Sequence, residues 1–126
     1  MPAAFGNPPQ GDDDTAMLID TTTPFVAITS KDCDNCKERH GGDGVFDTDN
    51  SDTFKSIGSK DNPVTITMSQ IELIGYWGQD TIQEAKGSPE SPDAMKVDGF
   101  EFFVITSIGS DDNRKDLDGV IGLASP

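Results

Sequence analysis

The sequence contains few basic residues, one histidine and two cysteines. Lys and Arg number 9 against 23 Asp and Glu, which gives a formal net charge of -14 over 126 residues. So acidic a chain repels phosphate, and we expect neither nucleic acid nor anionic membrane as a partner. The chain also repels itself at neutral pH and less so in acid, which is compatible with an acidic compartment.

Long hydrophobic runs are also missing. No stretch approaches the roughly 20 apolar residues that a membrane-spanning helix needs, so we expect no membrane span. Residues 1–6 lack the basic and apolar regions of a signal peptide. No Asn-x-Ser/Thr acceptor for N-glycosylation occurs in the sequence.

What the sequence does contain favours a loop-rich β domain. Hydrophobic residues make up 33% of the chain, which also carries 13 glycines and 8 prolines, a balance that suits strands and turns better than a helical bundle. The length predicts one domain, 1–126, with a modest core. Apolar and small polar residues alternate over 64–68, and residues 97–108 are rich in β-formers. About six or seven such segments predict an all-β fold.

Two cysteines, Cys33 and Cys36, form a C-x-x-C pair in a polar loop rich in Gly and Asp. Such a pair can be a small disulfide, two free thiols, a redox motif or half of a zinc site. His40 is the only histidine, so a closed zinc site would need an acid such as Asp34 or Glu38 as well, which is unusual. A redox motif normally lies at the start of a helix, and this loop does not resemble the start of a helix. A structural disulfide without metal is therefore favoured, with free thiols as the main alternative.

Asp20 stands at the end of one apolar run, before a turn of three threonines and a proline. A second apolar run, 25–28, leads away from this turn, so two buried strands are predicted to meet at Asp20. A carboxylate with such apolar flanks needs hydrogen bonds, a partner or a proton, because burying an unpaired charge is costly. The simpler alternative is that Asp20 only hydrogen-bonds its own turn, as aspartate often does.

The segment from Phe46 to Phe54 superficially resembles a calcium-binding loop. Asp52 stands where that loop needs a glycine, so a calcium site is not predicted. We predict instead one helical turn that is capped by Asp49 or Asn50, with the two phenylalanines turned inward.

Five segments of the chain carry motifs of one known family. They are Gly6-Asn7-Pro8-Pro9-Gln10, Leu18-Ile19-Asp20-Thr21, 46–54, 75–82 and 118–126. In this order they resemble the N-terminal lobe of a pepsin-family aspartic peptidase. They resemble, among others, the family's Gly-Thr-Pro-Pro-Gln turn, the start of its Asp-Thr-Gly motif and its Asp-Gly-Ile-Leu-Gly-Leu-Ala-x-Pro segment. Together they span nearly the whole chain. The resemblance implies an all-β pepsin-like acid protease lobe, single and β-barrel-like, in which Val120, Ile121 and Gly122 lie beside the Asp20 loop and support it.

The resemblance also implies a chemistry for Asp20. In this family each of two lobes supplies one aspartate, and the two carboxylates share a proton and activate a water molecule, with neither metal nor cofactor. Asp20 would be the catalytic residue of this lobe, and Thr21 would brace its loop. Thr22 stands where the family has glycine, so the loop is bulkier and its backbone more restricted. The implied substrate is a polypeptide.

A hairpin with its tip near Ser69 and Gln70 is predicted from the pattern, and the resemblance makes it the flap that covers an extended peptide. The flap residues are Met68, Ser69, Gln70 and Ile71. Met68 stands where the family has a tyrosine, and the next three residues replace a glycine-rich tip, which predicts a stiffer flap. Ala27 stands where a tryptophan usually supports that tyrosine.

The resemblance further implies that Cys33 and Cys36 are joined, because their loop aligns with a disulfide-closed loop common in the family. A disulfide argues for an oxidising compartment. We therefore expect a secreted protein or one of an acidic, lumenal compartment.

The departures from the family pattern at Thr22, Met68 and Ala27, and the lack of a second lobe, determine which function we expect. We expect a pepsin-like lobe with lost or severely weakened peptidase activity, which acts as a binding or structural subunit. The alternative is an active acid aspartic endopeptidase whose dyad is completed by a homodimer partner or by a C-terminal lobe. Either way the lobe is expected to associate, as a homo-oligomer or with a second-lobe chain, because a lone lobe exposes an apolar face.

Overall fold

The computed structural model describes residues 3–7, 10, 17–20, 24–33, 45–68, 71–84, 96–109 and 119–122. These residues form strands, turns and one short 3-10 turn, and no α-helix occurs among them, so the all-β prediction is confirmed for this part of the chain. The strands are β1 Ala3–Phe5, β2 Met17–Asp20, β3 Val26–Thr29, β4 Lys55–Ser56, β5 Val64–Met68, β6 Ile71–Glu84, β7 Lys96–Ile108 and β8 Gly119–Gly122. None of the described segments is a helix that is long and apolar enough to cross a membrane.

All eight strands belong to one mixed sheet. Its strand order is β1-β6-β7-β3-β8-β2, and β4 and β5 pair separately with β6. The pairs β2/β8 and β3/β7 are parallel, and the other pairs are antiparallel. Within the described ranges the path ends at β1 and at β2. The sheet is therefore open there, and the expected barrel-like closure is not seen among these strands.

The central feature of the sheet is the long antiparallel pair β6/β7, and β7 contains the β-rich segment predicted at 97–108. The register shifts twice along this pair, between Ile74 and Gly75 and between Asp80 and Ile82. At the first shift the two backbones approach closely, because a Cβ on Gly75 would lie 1.9 Å from the carbonyl oxygen of Val104. The glycine therefore permits β6 to continue through a bulge at this point.

The predicted hairpin is present as the β5/β6 pair. Met68 lies opposite Ile71 in the antiparallel register, so the connection between the strands is two residues long. Those two residues, Ser69 and Gln70, lie outside the described part of the chain. The strand pairing thus confirms the hairpin and its position.

The sheet buries side chains on both faces. Neighbouring residues of β7 point to opposite faces, so Phe102 and Val104 enter one cluster while Phe103 and Ile105 enter the other. The first cluster also holds Phe5, Val26, Ile28, Phe46 and Tyr76, and the second also holds Ala27, Cys33, Leu73, Ile108 and Val120. This double burial explains why residues 102–105 of β7 are all apolar and do not alternate apolar with polar residues.

The turn predicted inside the 46–54 segment is the 3-10 turn Thr48–Asn50. Its N-cap is Asp47, whose side chain accepts a hydrogen bond from the Asp49 backbone, so the predicted cap at Asp49 or Asn50 is wrong by two or three positions. Asp47 precedes the turn with extended backbone, which is the geometry that a capping carboxylate needs. Phe46 is fully buried and Phe54 half-buried, with ring centroids 5.7 Å apart, as the inward orientation predicted.

The only tyrosine of the chain, Tyr76, gives a testable pH dependence. Burial raises the pKa of its phenol above the ordinary 10.0, and Asp32 and Asp49 raise the pKa further while a hydrogen bond with Thr48 opposes them. The unfolded chain then loses this proton at a lower pH than the folded one. The stability that the raised pKa of Tyr76 contributes to the folded state is thus fully present below about pH 10. It is lost as the pH rises through the pKa of the folded state.

We expect urea unfolding to show this loss when wild type is compared with Tyr76→Phe. The stability difference between the two proteins should be constant near neutral pH and should shift against wild type above about pH 10. Parallel stability curves up to about pH 11 would show that the folded and unfolded phenols titrate alike.

Candidate functional site

The candidate site lies where β2 ends at Asp20. Strand β8 runs between β2 and β3, parallel to the first and antiparallel to the second. In this register Asp20 lies opposite Gly122, and the Gly122 N–H donates a 2.8 Å hydrogen bond to the carbonyl oxygen of Phe25. The end of β8 is thus held on both sides, by the strand that leads into the Asp20 turn and by the residues that leave it.

The residues expected to support this turn are packed as a support requires. Val120 is fully buried and Ile121 is half-buried. Ala27 is fully buried too, and it lies between Phe103 on β7 and Val120 on β8. The position at which the resemblance expects a tryptophan is therefore a tightly enclosed interior position of the sheet.

Several predicted site residues fall outside what the structure describes. Asp20, Met68 and Ile71 are described by their backbone alone, as members of β2, β5 and β6. Outside the described residues lie Thr21, Thr22, Ser69, Gln70 and Cys36. Their catalytic, flap and pairing roles stay predictions. Cys33 is buried and disulfide-bonded.

Among the residues with described side chains, Asp80 is the buried carboxylate, with 1% of its surface exposed. The hydroxyl of Ser51 donates to its Oδ2 at 2.5 Å, and the hydroxyl of Thr53 donates to its Oδ1 at 2.5 Å. The backbone N–H of Thr81 donates to Oδ1 at 2.7 Å. Three donors aimed at one carboxylate offset the cost of removing it from water.

Asp80 fastens the 46–54 segment to the sheet. Ser51 both donates to Asp80 and accepts a 3.1 Å hydrogen bond from the backbone N–H of Asn7, which joins the end of β1 to the same network. Asp80 was not among the site residues that the sequence predicted. An acid inside the strand pattern 76–82 was the available signal, because such a residue needs partners.

Asp80 is not a neighbour of Asp20 in the sheet. It lies on β6, and three strands, β7, β3 and β8, separate β6 from β2 in the strand order. Its two oxygens already accept hydrogen bonds from Ser51, Thr53 and Thr81. Asp80 is thus a structural acid and does not supply a second catalytic carboxylate to Asp20.

A separate cleft of about 700 Å³ opens beside β6. Its lining residues are Gly6, Asn7, Asp52, Thr53, Phe54, Lys55, Gln79, Thr81, Asp98 and Gly99. Its volume is within the range of small-ligand sites in proteins. None of the cleft residues was predicted as a functional residue from the sequence.

In the described ranges, no group of three or more His, Cys, Asp or Glu side chains could hold a metal ion. No protein-family model and no curated protein matches the sequence.

Proposed function

We propose that this chain is a pepsin-like lobe that serves as a binding or structural subunit and has lost, or retains only weakly, the peptidase activity of its family. The pepsin-like part is supported by strand β8, which lies between the two strands that flank the Asp20 turn. That is the neighbourhood which the resemblance implied for residues 120–122.

The observation that carries the loss of activity is the position of Asp80. The aspartic peptidase mechanism needs two carboxylates that share one proton. The buried acid of the described part lies on β6, which three strands separate from β2, and it already accepts structural hydrogen bonds. The chain by itself thus offers Asp20 no second acid from this region.

The substitutions around Asp20 agree with this proposal. Thr22 in place of glycine restricts the loop that has to approach a second lobe. Met68 in place of tyrosine removes a hydroxyl from the predicted flap. Both substitutions are compatible with the fold but weaken the predicted catalytic site, as expected for a lobe that is retained for binding.

The second candidate function is an active acid aspartic endopeptidase. One observation favours it: β2 is the last strand of the sheet path among the described strands, and Asp20 is its final residue. A second copy of the chain, or a C-terminal lobe, that packs at this edge would bring its own aspartate near Asp20. In that assembly the two acids would share a proton and cleave an extended polypeptide.

The change Asp20→Asn separates these two functions. If the lobe is a binding subunit, neither wild type nor Asp20→Asn should cleave a broad peptide library at about pH 4, and the mutant should melt no lower than wild type. Cleavage and melting temperature are measured on both proteins, with and without pepstatin. Replacing the carboxylate by an amide of the same shape removes only a charge.

The matched control for this experiment is Asp61→Asn. Asp61 is exposed on a turn far from β2 in the sequence, and its substitution makes the same charge change. Pepstatin-sensitive cleavage that disappears in Asp20→Asn and persists in Asp61→Asn would establish the endopeptidase and overturn the proposal. The mass in solution, measured in parallel, identifies the expected self-association.

A further inference from the structure

The cleft beside β6, called here the bulge cleft, has features that point to a ligand. It is formed where the second register shift of the β6/β7 pair occurs, between Asp80 and Ile82. At this shift the single residue Thr81 faces two residues of β7, Asp98 and Gly99. Bulges of this kind redirect side chains and are common beside binding sites.

The bulge fixes the carboxylate of Asp98 at the rim of the cleft. Gly99 has a φ of +64°, which bends β7 at this point, and a Cβ added there would meet no atom within 4 Å, so the space in front of it is open. The hydroxyl of Thr81 donates a 2.9 Å hydrogen bond to Oδ1 of Asp98. Within the described residues no group donates a hydrogen bond to its Oδ2.

The charges of the bulge cleft favour a cation. Two carboxylates, Asp52 and Asp98, line it against one ammonium, Lys55. Among the described residues none of the three has an ion-pair partner within 4.0 Å. The chain as a whole carries a formal charge of -14, so its field also draws cations toward this surface.

One wall of the bulge cleft is aromatic. The ring of Phe54 is half-buried, with its inner side against Phe46 and Tyr76 at centroid distances of 5.7 and 6.4 Å. The remaining ring surface lines the cleft. A planar cation can stack on such a ring while it forms paired hydrogen bonds with a carboxylate, and the guanidinium group of arginine does both.

We propose that the bulge cleft binds an arginine side chain of a partner polypeptide. The guanidinium stacks on Phe54 and donates hydrogen bonds to Asp98 and Asp52, while the amides of Asn7 and Gln79 pair with the partner's main chain. This inference does not depend on the proposed pepsin-like function, because no residue of the cleft belongs to the Asp20 site. It holds equally if the chain proves to be an active peptidase.

The test measures binding of acetyl-Gly-Arg-Gly-amide to the whole chain by nuclear magnetic resonance at about 0.15 M salt, where general charge attraction is screened. Saturable shifts should be confined to the amides of Asn7, Gln79 and Gly99 and to their neighbours. The same peptide with Gln in place of Arg should bind at least about tenfold more weakly. Shifts spread over the whole acidic surface, or no saturation, would overturn the proposal.

Charge-matched variants distinguish the cleft from the general field of the protein. Asp98→Asn should raise the Kd by about fivefold or more, whereas Asp61→Asn, outside the cleft, should change it less than about twofold. Asp52→Asn serves as the second variant if Asp98→Asn melts early. Equal weakening by the cleft and control variants would refute a specific site.

Two further binding experiments are expected to change the affinity in opposite directions. Lys55→Gln removes the one positive charge of the cleft and should tighten peptide binding, while Lys31→Gln on an exposed turn should have a smaller effect. A free polyamine such as spermidine should bind more weakly than the arginine peptide, because it lacks a planar group to stack on Phe54. Equal or tighter binding of spermidine would reassign the cleft to a small cation and overturn the proposal.

Discussion

Asp80→Ala is expected to lower the free energy of unfolding by about 2–3 kcal/mol. The change leaves the hydroxyls of Ser51 and Thr53 and the N–H of Thr81 without the acceptor to which they donate. It also opens a cavity at a position with 1% exposure. A domain of this size has only about 5–15 kcal/mol of stability, so the variant should melt at a clearly lower temperature than wild type. Urea unfolding followed by the fluorescence of the single tryptophan, Trp77, measures the effect.

Two variants control for the loss of charge at Asp80. Asp80→Asn keeps one acceptor oxygen and fills the same volume, so it should cost clearly less than the alanine change. Asp61→Ala removes a carboxylate from an exposed turn and should alter stability by no more than about 0.5 kcal/mol. Similar losses in Asp80→Ala and Asp61→Ala would mean that the buried hydrogen bonds contribute nothing.

Gly75→Ala is the second substitution with a large expected effect, about 3 kcal/mol or more of lost stability. A methyl group at this position would lie 1.9 Å from the carbonyl oxygen and 2.9 Å from the carbonyl carbon of Val104. Both atoms belong to the backbone of β7, so no side-chain rotation relieves the contact. The β6/β7 pair has to separate at its centre, which exposes the core on both faces of the sheet.

Gly99→Ala is the matched control, because it adds the same methyl group to the other bulge of the same strand pair. No atom lies within 4 Å of that methyl position, so its cost comes only from the φ of +64° and should be about 1–2 kcal/mol. Thermal and urea unfolding of the two alanine variants compare the cost of a steric clash at position 75 with the cost of a left-handed backbone conformation at position 99. If Gly75→Ala is no worse than Gly99→Ala, the close approach of the two backbones at Val104 is not present in solution.

The parts of the fold that could be predicted from sequence are those set by local pattern. The β5/β6 hairpin was located from the alternation in 64–68 and the polar pair at 69 and 70, and β7 from its apolar run. The need for glycine at position 75 has no local signature, since it comes from the close approach of the β7 backbone at Val104, about thirty residues away in the chain. The N-cap at Asp47 was not predicted, because its position depends on the residue at which the extended backbone changes into the 3-10 turn.

The candidate site was less accessible to sequence reasoning. The placement of residues 120–122 beside Asp20 was expected only from the resemblance, since no periodicity predicts which strands become parallel neighbours. The Asp80 partners, Ser51 and Thr53, lie 29 and 27 residues away along the chain, so they had no local signature. The bulge cleft combines residues from four separate segments and a register shift, which only the folded backbone reveals.

The position of β8 between β2 and β3 sets the order in which the chain can fold. Strands β2 and β8 are about a hundred residues apart in sequence, and β3 also reaches β7 and β8 across long loops. Such distant pairings form slowly, because each must first close a long loop, whereas the β5/β6 hairpin closes locally. During synthesis β2 emerges early and has no β8 to pair with until residues 119–122 leave the ribosome. The strand that carries Asp20 is therefore made about a hundred residues before its neighbour β8, and it is among the last of the described strands to be placed.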